Sequence, residues 1–443
     1  MHSRQLSCML PPKPRPVPER ALTRNLHLGR VAAGMIGLTL GAAMGQMLGG
    51  ARPDLARAAL TPGNAMRLAG GLAHLRGAAM KLGQMLSLEN GLVLPQELTA
   101  ILAQLQADAP AMPPAQLKSV LNAEWGAGWL QQFQRFDVRP VAAASIGQVH
   151  RAVLHDGRAL AIKVQFPGVA ASIDSDLATL GRLMRVPGVL PKDLDIAPLL
   201  SEARAQLHDE ADYTREADAL AFYHSRLSGL PAFHVPALYA PFSTRRILAM
   251  EFVQSDPIDA ICHAPQAQRD KAAADLIDLV LREIFELGQM QTDPNFANYR
   301  LAPDGRVVLL DFGASRPIQP QTSAQYRALL AALLAEDRQA VGATMARIGY
   351  FDPAKRADRA ELIVDLALQA SAPLRQDGPY DFGSSTLIAD LAMAGQAIGQ
   401  ARDLWHVPPA DLLFLHRKIG GMFLLAQRLR AKVALRPLVA RWA

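Results

Sequence analysis

The sequence predicts an α+β fold in which a small sheet, confined to one side, is preceded by a helical extension and followed by a helical lobe. Three observations carry that reading. Apolar residues recur at helical spacing over Leu68, Leu72, Leu75, Ala79, Leu82 and Leu86. Asp156-Gly157 divides two short apolar runs, 147–154 and 158–165, which is the local signature of a β-hairpin. Everything after Gln319 has helical pattern.

Taken in order, residues 1–59 form a basic leader. Lys13, Arg15, Arg20, Arg24 and Arg30 surround a proline cluster and precede an uncharged stretch of 21 residues from Val31 to Ala51. Within it Gly37, Gly41, Gly45 and Gly49 fall on every fourth position, the spacing of close helix packing. Glycine is a poor helix former, and Thr39 and Gln46 dilute the apolar content, so insertion into a bilayer would be marginal. The expectation is a membrane-associated or homodimerising helix, with a true span or a soluble leader as alternatives.

Residues 60–132 form the helical extension. Thr61-Pro62 is a helix start, a second helix is expected over 95–106, and a third begins after Pro113-Pro114. Residues 133–254 carry the sheet: the hairpin, helical pattern over 169–184 and 195–227, and strands over 234–239 and 245–253. Residues 255–443 are expected to hold a long helix over 265–287, a loop over 288–297, a strand over 306–310 and then helices alone.

Composition excludes several classes. With 443 residues, 50% hydrophobic and 19% charged, the chain is neither collagenous, coiled coil nor disordered. Its net charge of +6 includes no Lys/Arg-dense run, so nucleic acid is not an expected partner, whereas a diffuse attraction to an anionic membrane surface is. Cys8 and Cys262 have no partners at metal-ligand spacing, which fits a reducing compartment.

The chemistry is concentrated in two short motifs. Asp293-Pro-Asn-Phe-Ala-Asn298 puts an Asp five residues before an Asn, and Asp311-Phe312-Gly313 follows. Phosphoryl-transfer sites of the protein-kinase type use that order: one Asp faces the attacking oxygen, while the Asn amide oxygen and the second carboxylate converge on Mg²⁺ at the phosphates of ATP. Upstream, Ala161-Ile162-Lys163 matches the strand element whose Lys pairs with the α and β phosphates. The loop before the hairpin, with Ala142, Ala143, Ala144 and Ser145, lies where a glycine-rich phosphate cover would be, and alanines there would make it stiffer. A buried Lys163 needs a carboxylate partner, and periodicity leaves Glu202 and Glu210 as alternatives. Glu251 and Val253 end a strand in the place where a kinase hinge meets adenine. The whole set describes a bilobal, protein-kinase-like fold with a small N-lobe sheet, a helical C-lobe and an added N-terminal helical extension.

From Leu60 onward the sequence resembles the UbiB-type family of atypical protein-kinase-like proteins, linked to ubiquinone (coenzyme Q) biosynthesis. The most specific likeness is Lys81-Leu82-Gly83-Gln84, the K-x-G-Q motif of that family; the alanine-rich loop ending in Ser145-Ile146-Gly147-Gln148, the E-x-D-Y-x-R-E-A run from Glu210 to Ala217 and Gln291-Thr292-Asp293-Pro294-Asn295 are also similar. The resemblance implies that Glu210 is the ion-pair partner of Lys163 and that the helices carrying Lys81 and Gln84 fold over the active site. Consistent with that, little chain separates Asp311-Phe-Gly from the next helix, so there is no room for an activation loop, and Gln291-Thr292 stand where protein kinases have His-Arg. Lys163 and Glu210 are 47 residues apart, which implies an inserted helix.

The expected function is an Mg-ATP-binding protein with ATPase or unorthodox phosphotransfer activity in ubiquinone biosynthesis. Its expected partners are an isoprenoid lipid or quinone precursor, quinone-biosynthesis enzymes and a membrane surface. Alternatives are a non-catalytic, nucleotide-gated lipid-binding scaffold and a small-molecule kinase. No hydrophobic tail closes the sequence at Trp442-Ala443, so membrane attachment would fall to the leader or an amphipathic surface. A span in the basic leader would carry the ATP site away from the cytoplasm. Peripheral attachment is therefore expected, on the cytoplasmic face of a bacterial inner membrane or the matrix side in a mitochondrion.

Overall fold

The computed structural model describes residues 111–184, 197–351, 357–399 and 410–443. The leader and the first two helices of the extension fall outside the described residues. The chain divides into two compact units, one ending at Ala217 and resuming over Leu238–Phe252, the other made of Asp218–Ala237 and Val253–Ala443.

In the first unit, α1 (Pro114–Trp125) starts on a proline, which needs no backbone donor in the first turn, and stops at Gly126 with φ of 82°. Its Leu117, Val120 and Leu121 are buried in one core cluster with Trp129, Phe133, Ile162, Val164 and Ile247. Trp125 ties this helix down further by donating to the Phe242 carbonyl at 3.1 Å and packing at 5.6 Å from the rings of both Phe133 and Phe242. The sheet is antiparallel. β1 (Phe133–Phe136) and β2 (Ala142–Ala144) pair with opposite ends of β3 (Gly147–Leu154), β3 pairs with β4 (Ala159–Gln165), and β4 with β6 (Ile247–Glu251). The β3–β4 turn is the expected one: Gly157 adopts φ of 87°, and Asp156 accepts from the Arg158 amide at 3.0 Å.

Helix α2 (Val169–Met184) has the expected bounds. The helical stretch expected over 195–227 is instead two helices, α3 (Ala197–Glu210) and α4 (Tyr213–Leu227), and α4 runs on into the second unit. The break has a local cause. Asp212 accepts from the Thr214 amide at 3.1 Å and from its hydroxyl at 2.6 Å, an N-terminal cap that starts a new helix rather than continuing the old one.

In the second unit, β5 (Phe233–His234) lies parallel to β10 (Val307–Leu309), which pairs with β9 (Tyr299–Leu301), and β9 with β7 (Asp256–Pro257). The strand expected over 234–239 is thus reduced to β5, with Leu238 making only an isolated bridge. Helix α5 (Gln266–Arg282) continues through a π-helical turn, Glu283–Leu287, and ends at Gly288 with φ of 64°. The loop expected over 288–297 begins with a strand: β8 (Gln289–Gln291) pairs antiparallel with β11 (Ser315–Pro317). Three-residue strands carry too little periodicity to be read from sequence. Helices α6 (Pro320–Leu334), α7 (Arg338–Ile348), α8 (Ala357–Arg375), α9 (Leu387–Gly399), α10 (Ala410–Arg428) and α11 (Leu435–Ala440) follow, interrupted by the short pair β12 (Tyr380–Asp381) and β13 (Lys432–Val433). Among the described residues no helix is long and apolar enough to cross a membrane.

Leu121 is fully buried in the cluster that joins α1 to the sheet. Truncation by Leu121→Ala is expected to cost about 2–5 kcal/mol, measured as a lowered urea midpoint with an unchanged slope; an unaltered midpoint would mean that α1 is dispensable to the first unit.

Candidate functional site

In the first unit, the register fixes Lys163 in the middle of β4, opposite Val149 on one side and Leu248 on the other. Its side chain is buried, 8% exposed, and its ammonium donates to both carboxylate oxygens of Glu216 at 2.7 and 2.8 Å. Glu216 is on the first turn of α4 and its side chain is 3% exposed. The expected partner Glu210 is therefore corrected to Glu216. The physical reason is the Asp212 cap, which ends α3 at Glu210 and resets the helical phase, so that the carboxylate six residues later faces β4. Glu210 does something else: it accepts from the Ser145 hydroxyl at 2.8 Å.

Ser145 and Ile146 form the tight turn between β2 and β3. The alanine-rich segment is thus a paired strand, with Ala142 opposite Val149, Ala143 opposite Gln148 and Ala144 opposite Gly147, and its tip is tethered by Glu210. Gly147 is required there. A Cβ on it would sit 2.4 Å from the Val164 carbonyl oxygen and 2.9 Å from the Tyr213 hydroxyl. The Tyr213 ring also underlies the Lys163 ammonium, 5.0 Å from its centroid. Glu251 ends β6 opposite Leu160, three residues beyond Lys163's neighbour Leu248, and the Val253 carbonyl accepts from the Ser255 hydroxyl at 3.2 Å. Lys81 and Gln84 lie outside the described residues.

In the second unit, the two motifs meet through the backbone. The Leu310 amide donates to the Asn298 carbonyl at 3.1 Å, and the Thr292 amide and hydroxyl donate to the Ala314 carbonyl at 3.1 and 2.8 Å. These bonds join the segment carrying Asp293 and Asn298 to the one carrying Asp311. The Asn298 amide nitrogen donates to the Asp293 carbonyl at 3.3 Å, which makes its amide oxygen the atom offered to a cation. Asp311 accepts from the Gly313 amide at 3.0 Å, a turn that holds the carboxylate in place. All three candidate residues are half-buried and reachable by a ligand, while Phe312 is buried with its ring 4.7 Å from that of Tyr223.

A carboxylate and an amide oxygen held by adjoining loops suit Mg²⁺, a hard cation that takes few protein ligands and leaves the other positions to phosphate oxygens and water. Among the described residues no cluster of three His, Cys, Asp or Glu side chains forms a self-sufficient metal cage. Directly after Gly313 the chain enters β11 and then α6, so the stretch where an activation loop would lie is committed to pairing with β8.

Sequence reasoning missed a buried polar network behind the Asp293 segment. Lys418, fully buried on α10, donates to the Gln291 carbonyl at 2.7 Å, the Gln291 side-chain oxygen at 3.1 Å and the Tyr299 hydroxyl at 2.9 Å. Glu283 lies 3.4 Å from it and accepts from the Tyr223 hydroxyl at 2.7 Å and the Gln291 amide at 3.0 Å. Burial alone would lower the Lys418 pKa, but the Glu283 charge and the Tyr299 contact outweigh it and raise the value, so the ammonium stays charged. Burial and the neighbouring Glu283 charge raise the Tyr223 hydroxyl well above its ordinary range, so it keeps its proton and donates it to Glu283. The available signal was Lys418 itself, one of few lysines in an arginine-rich chain, beside His416 and Arg417 in the mostly apolar stretch from Leu412 to Leu425.

Residues 104–345 match the ABC1 atypical kinase-like domain, more than half of the chain. The chain belongs to the ABC1 atypical kinase-like family. Among its relatives, "Atypical kinase COQ8, mitochondrial" of Saccharomyces cerevisiae is 35% identical over 421 residues, covering 94% of this chain and 83% of that protein. "Atypical kinase COQ8B, mitochondrial" of Rattus norvegicus is 34% identical over 427 residues, covering 96% and 80%. Among solved structures, the Rv3197 protein of Mycobacterium tuberculosis, in complex with erythromycin, matches with a TM-score of 0.58 and 26% identity over 85% of this chain and 94% of its own. The expected α+β, kinase-like architecture and the expected family resemblance both stand on these matches.

The two carboxylates of the E-x-D-Y-x-x-E run should separate experimentally. Glu216→Ala leaves a buried ammonium without its bidentate partner and should cost about 3–5 kcal/mol. Glu210→Ala loosens a half-buried hydrogen bond and should cost about 1.5–3 kcal/mol. Chemical denaturation of both variants checks the order, and the reverse order would put the Lys163 partner back at Glu210.

Proposed function

We propose that this chain binds Mg-ATP and uses it, by hydrolysis or by phosphoryl transfer to a non-peptide acceptor, in support of ubiquinone (coenzyme Q) biosynthesis. The observation that carries the reading is the backbone junction that joins Asp293 and Asn298 to Asp311, with donor atoms suited to magnesium beside a carboxylate suited to a nucleophile. The names of the mitochondrial COQ8 relatives support the biological setting.

In this reading Lys163 orients the α and β phosphates and Glu216 holds Lys163 in place. Asn298 and Asp311 present oxygens to the metal, and Asp293 orients the attacking water or small lipid-like hydroxyl and accepts its proton. Held by Asn298 and Asp311, a magnesium ion would supply positive charge that offsets the charge developing on the transferred phosphoryl group. Ala142, Ala143, Ala144 and Ser145 cover the phosphates on a hairpin whose tip Glu210 anchors. The backbone at Glu251 and Val253 meets adenine, and Lys81 and Gln84 contact or gate the nucleotide. The substrates would be isoprenoid lipids or quinone precursors held at a membrane surface, with quinone-biosynthesis enzymes as partners. The protein would attach peripherally to the cytoplasmic or matrix face of an inner membrane.

A second reading, a non-catalytic, nucleotide-gated lipid-binding scaffold, draws support from the related Rv3197 protein, whose structure holds a small organic molecule, erythromycin. Asp311→Asn distinguishes the two. ATP hydrolysis should fall by about 100-fold or more, as for loss of one charge-stabilising group, and the variant should fail to restore quinone levels in a deletion strain. Unchanged hydrolysis would overturn the proposed activity, and restored quinone with hydrolysis abolished would favour the binding reading.

A further inference from the structure

Helix α10 meets the Asp293 segment at three positions. Lys418 donates to both oxygens of Gln291, two residues before Asp293, and to the hydroxyl of Tyr299, one residue after Asn298. Arg417 donates to the Thr292 carbonyl at 3.4 Å. Gly421, one turn on from Lys418, lies so close to Pro294 that a Cβ there would be 2.2 Å from the proline Cβ and 2.8 Å from its Cγ. One helix therefore grips the residues on both sides of Asp293, and one ammonium ties together the two ends of the stretch that carries Asp293 and Asn298.

We propose that Lys418, with Gly421 and the carboxylate of Glu283 behind it, is the positioning device of the candidate catalytic loop: it sets where Asp293 and Asn298 stand without touching the nucleotide. The inference rests on the phosphoryl-transfer reading above. Its physical basis is matching of valence. An ammonium has three protons, and Lys418 spends them on three acceptors: the Gln291 carbonyl, the Gln291 amide oxygen and the Tyr299 hydroxyl. No proton remains to turn towards another arrangement, so the loop has one favoured position. A buried lysine is costly unless every proton is met, and a leucine or methionine would pack at this position in α10 without that cost. The charge is therefore explained by what it fixes. The loop's own sequence agrees. Gln291-Thr292 leaves no cation in the segment itself, and the cation arrives from a residue 119 positions beyond Tyr299. Glu283 completes the frame: through its bond to the Gln291 amide it holds the same residue from α5's π-helical turn. Gly421 is a helix-interior glycine, and its missing side chain is what allows Pro294 to seat.

The test compares Lys418→Met, Gly421→Ala and Tyr299→Phe with wild type and with Asp293→Asn in the full-length chain. The readouts are circular dichroism, Mg-ATP affinity and steady-state ATP hydrolysis. Displacement of a catalytic group by a fraction of an ångström lowers turnover more than binding. Lys418→Met and Gly421→Ala are expected to lower kcat by about 10-fold or more while the KM for ATP stays within about 3-fold. Tyr299→Phe, which deletes one acceptor at constant volume, is expected to lower kcat by about 3-fold to 10-fold with an unchanged melting profile. If Lys418→Met does not fold, Gly421→Ala and Tyr299→Phe decide. Folded variants with wild-type kcat, or with kcat and KM lost only in proportion to the folded fraction, would overturn the positioning role. Asp293→Asn separates that failure from a failure of the underlying function: hydrolysis at the wild-type rate in Asp293→Asn would sink the function, whereas its loss beside normal Lys418→Met and Gly421→Ala would sink only the positioning role.

Discussion

A lysine taken out of water must be met by acceptors, and that constraint governs both units of this protein. In the first, the Lys163 ammonium on the central strand is met by both oxygens of Glu216. In the second, the Lys418 ammonium is met by Gln291 and Tyr299, with Glu283 at 3.4 Å. A buried ion pair adds little net stability compared with apolar residues of the same volume. Its effect is specificity: the pairing fixes α4 against β4 through Glu216, and the Lys418 bonds hold Gln291 and Tyr299 against α10. Much of the remaining architecture supplies those placements. The three-way strand register brings Lys163 to the middle of β4, the Asp212 cap aims Glu216 at it, and the π-helical turn presents Glu283 to the loop.

The site divides into groups that are fixed and groups that are exposed. Lys418, Glu283, Gln291 and Phe312 are buried, whereas Asp293, Asn298 and Asp311 are only half-buried. A phosphoryl-transfer centre needs both properties, since its ligands must reach solvent-borne substrate while being held still enough to need no rearrangement during reaction. The same division appears around Lys163. Its partner is sequestered, and the alanine hairpin above the strand is exposed at Ala142 and Ala143. The alanine-rich segment is a paired strand tethered at its tip by the Ser145–Glu210 hydrogen bond.

Local signals were legible in the sequence and non-local ones were not. The Asp156-Gly157 hairpin, α1 after its prolines and α2 with its apolar period each depend on a few neighbouring residues, and the structure forms each of them. The partner of Lys163 is Glu216 and not Glu210, which the resemblance implies, nor Glu202, which periodicity over one continuous helix also allows. A two-residue break capped by Asp212 changes which carboxylate faces the sheet, and periodicity cannot register a break it does not sample. The β8–β11 pair was missed because three residues carry no period. Lys418 escapes a sequence reading because its partners lie more than a hundred residues away, although the rarity of lysine in this chain sets it apart.

The account depends most on Asn298 and Asp311 forming one metal site in the presence of nucleotide. Electron paramagnetic resonance of Mn²⁺, substituted for Mg²⁺ and titrated into the protein with and without ATP, tests that directly. The account predicts an ATP-dependent bound-Mn²⁺ signal in the wild type that is lost in Asp311→Asn and weakened in Asn298→Ala. An identical bound-Mn²⁺ signal in all three proteins, or none in the wild type with ATP present, would contradict it.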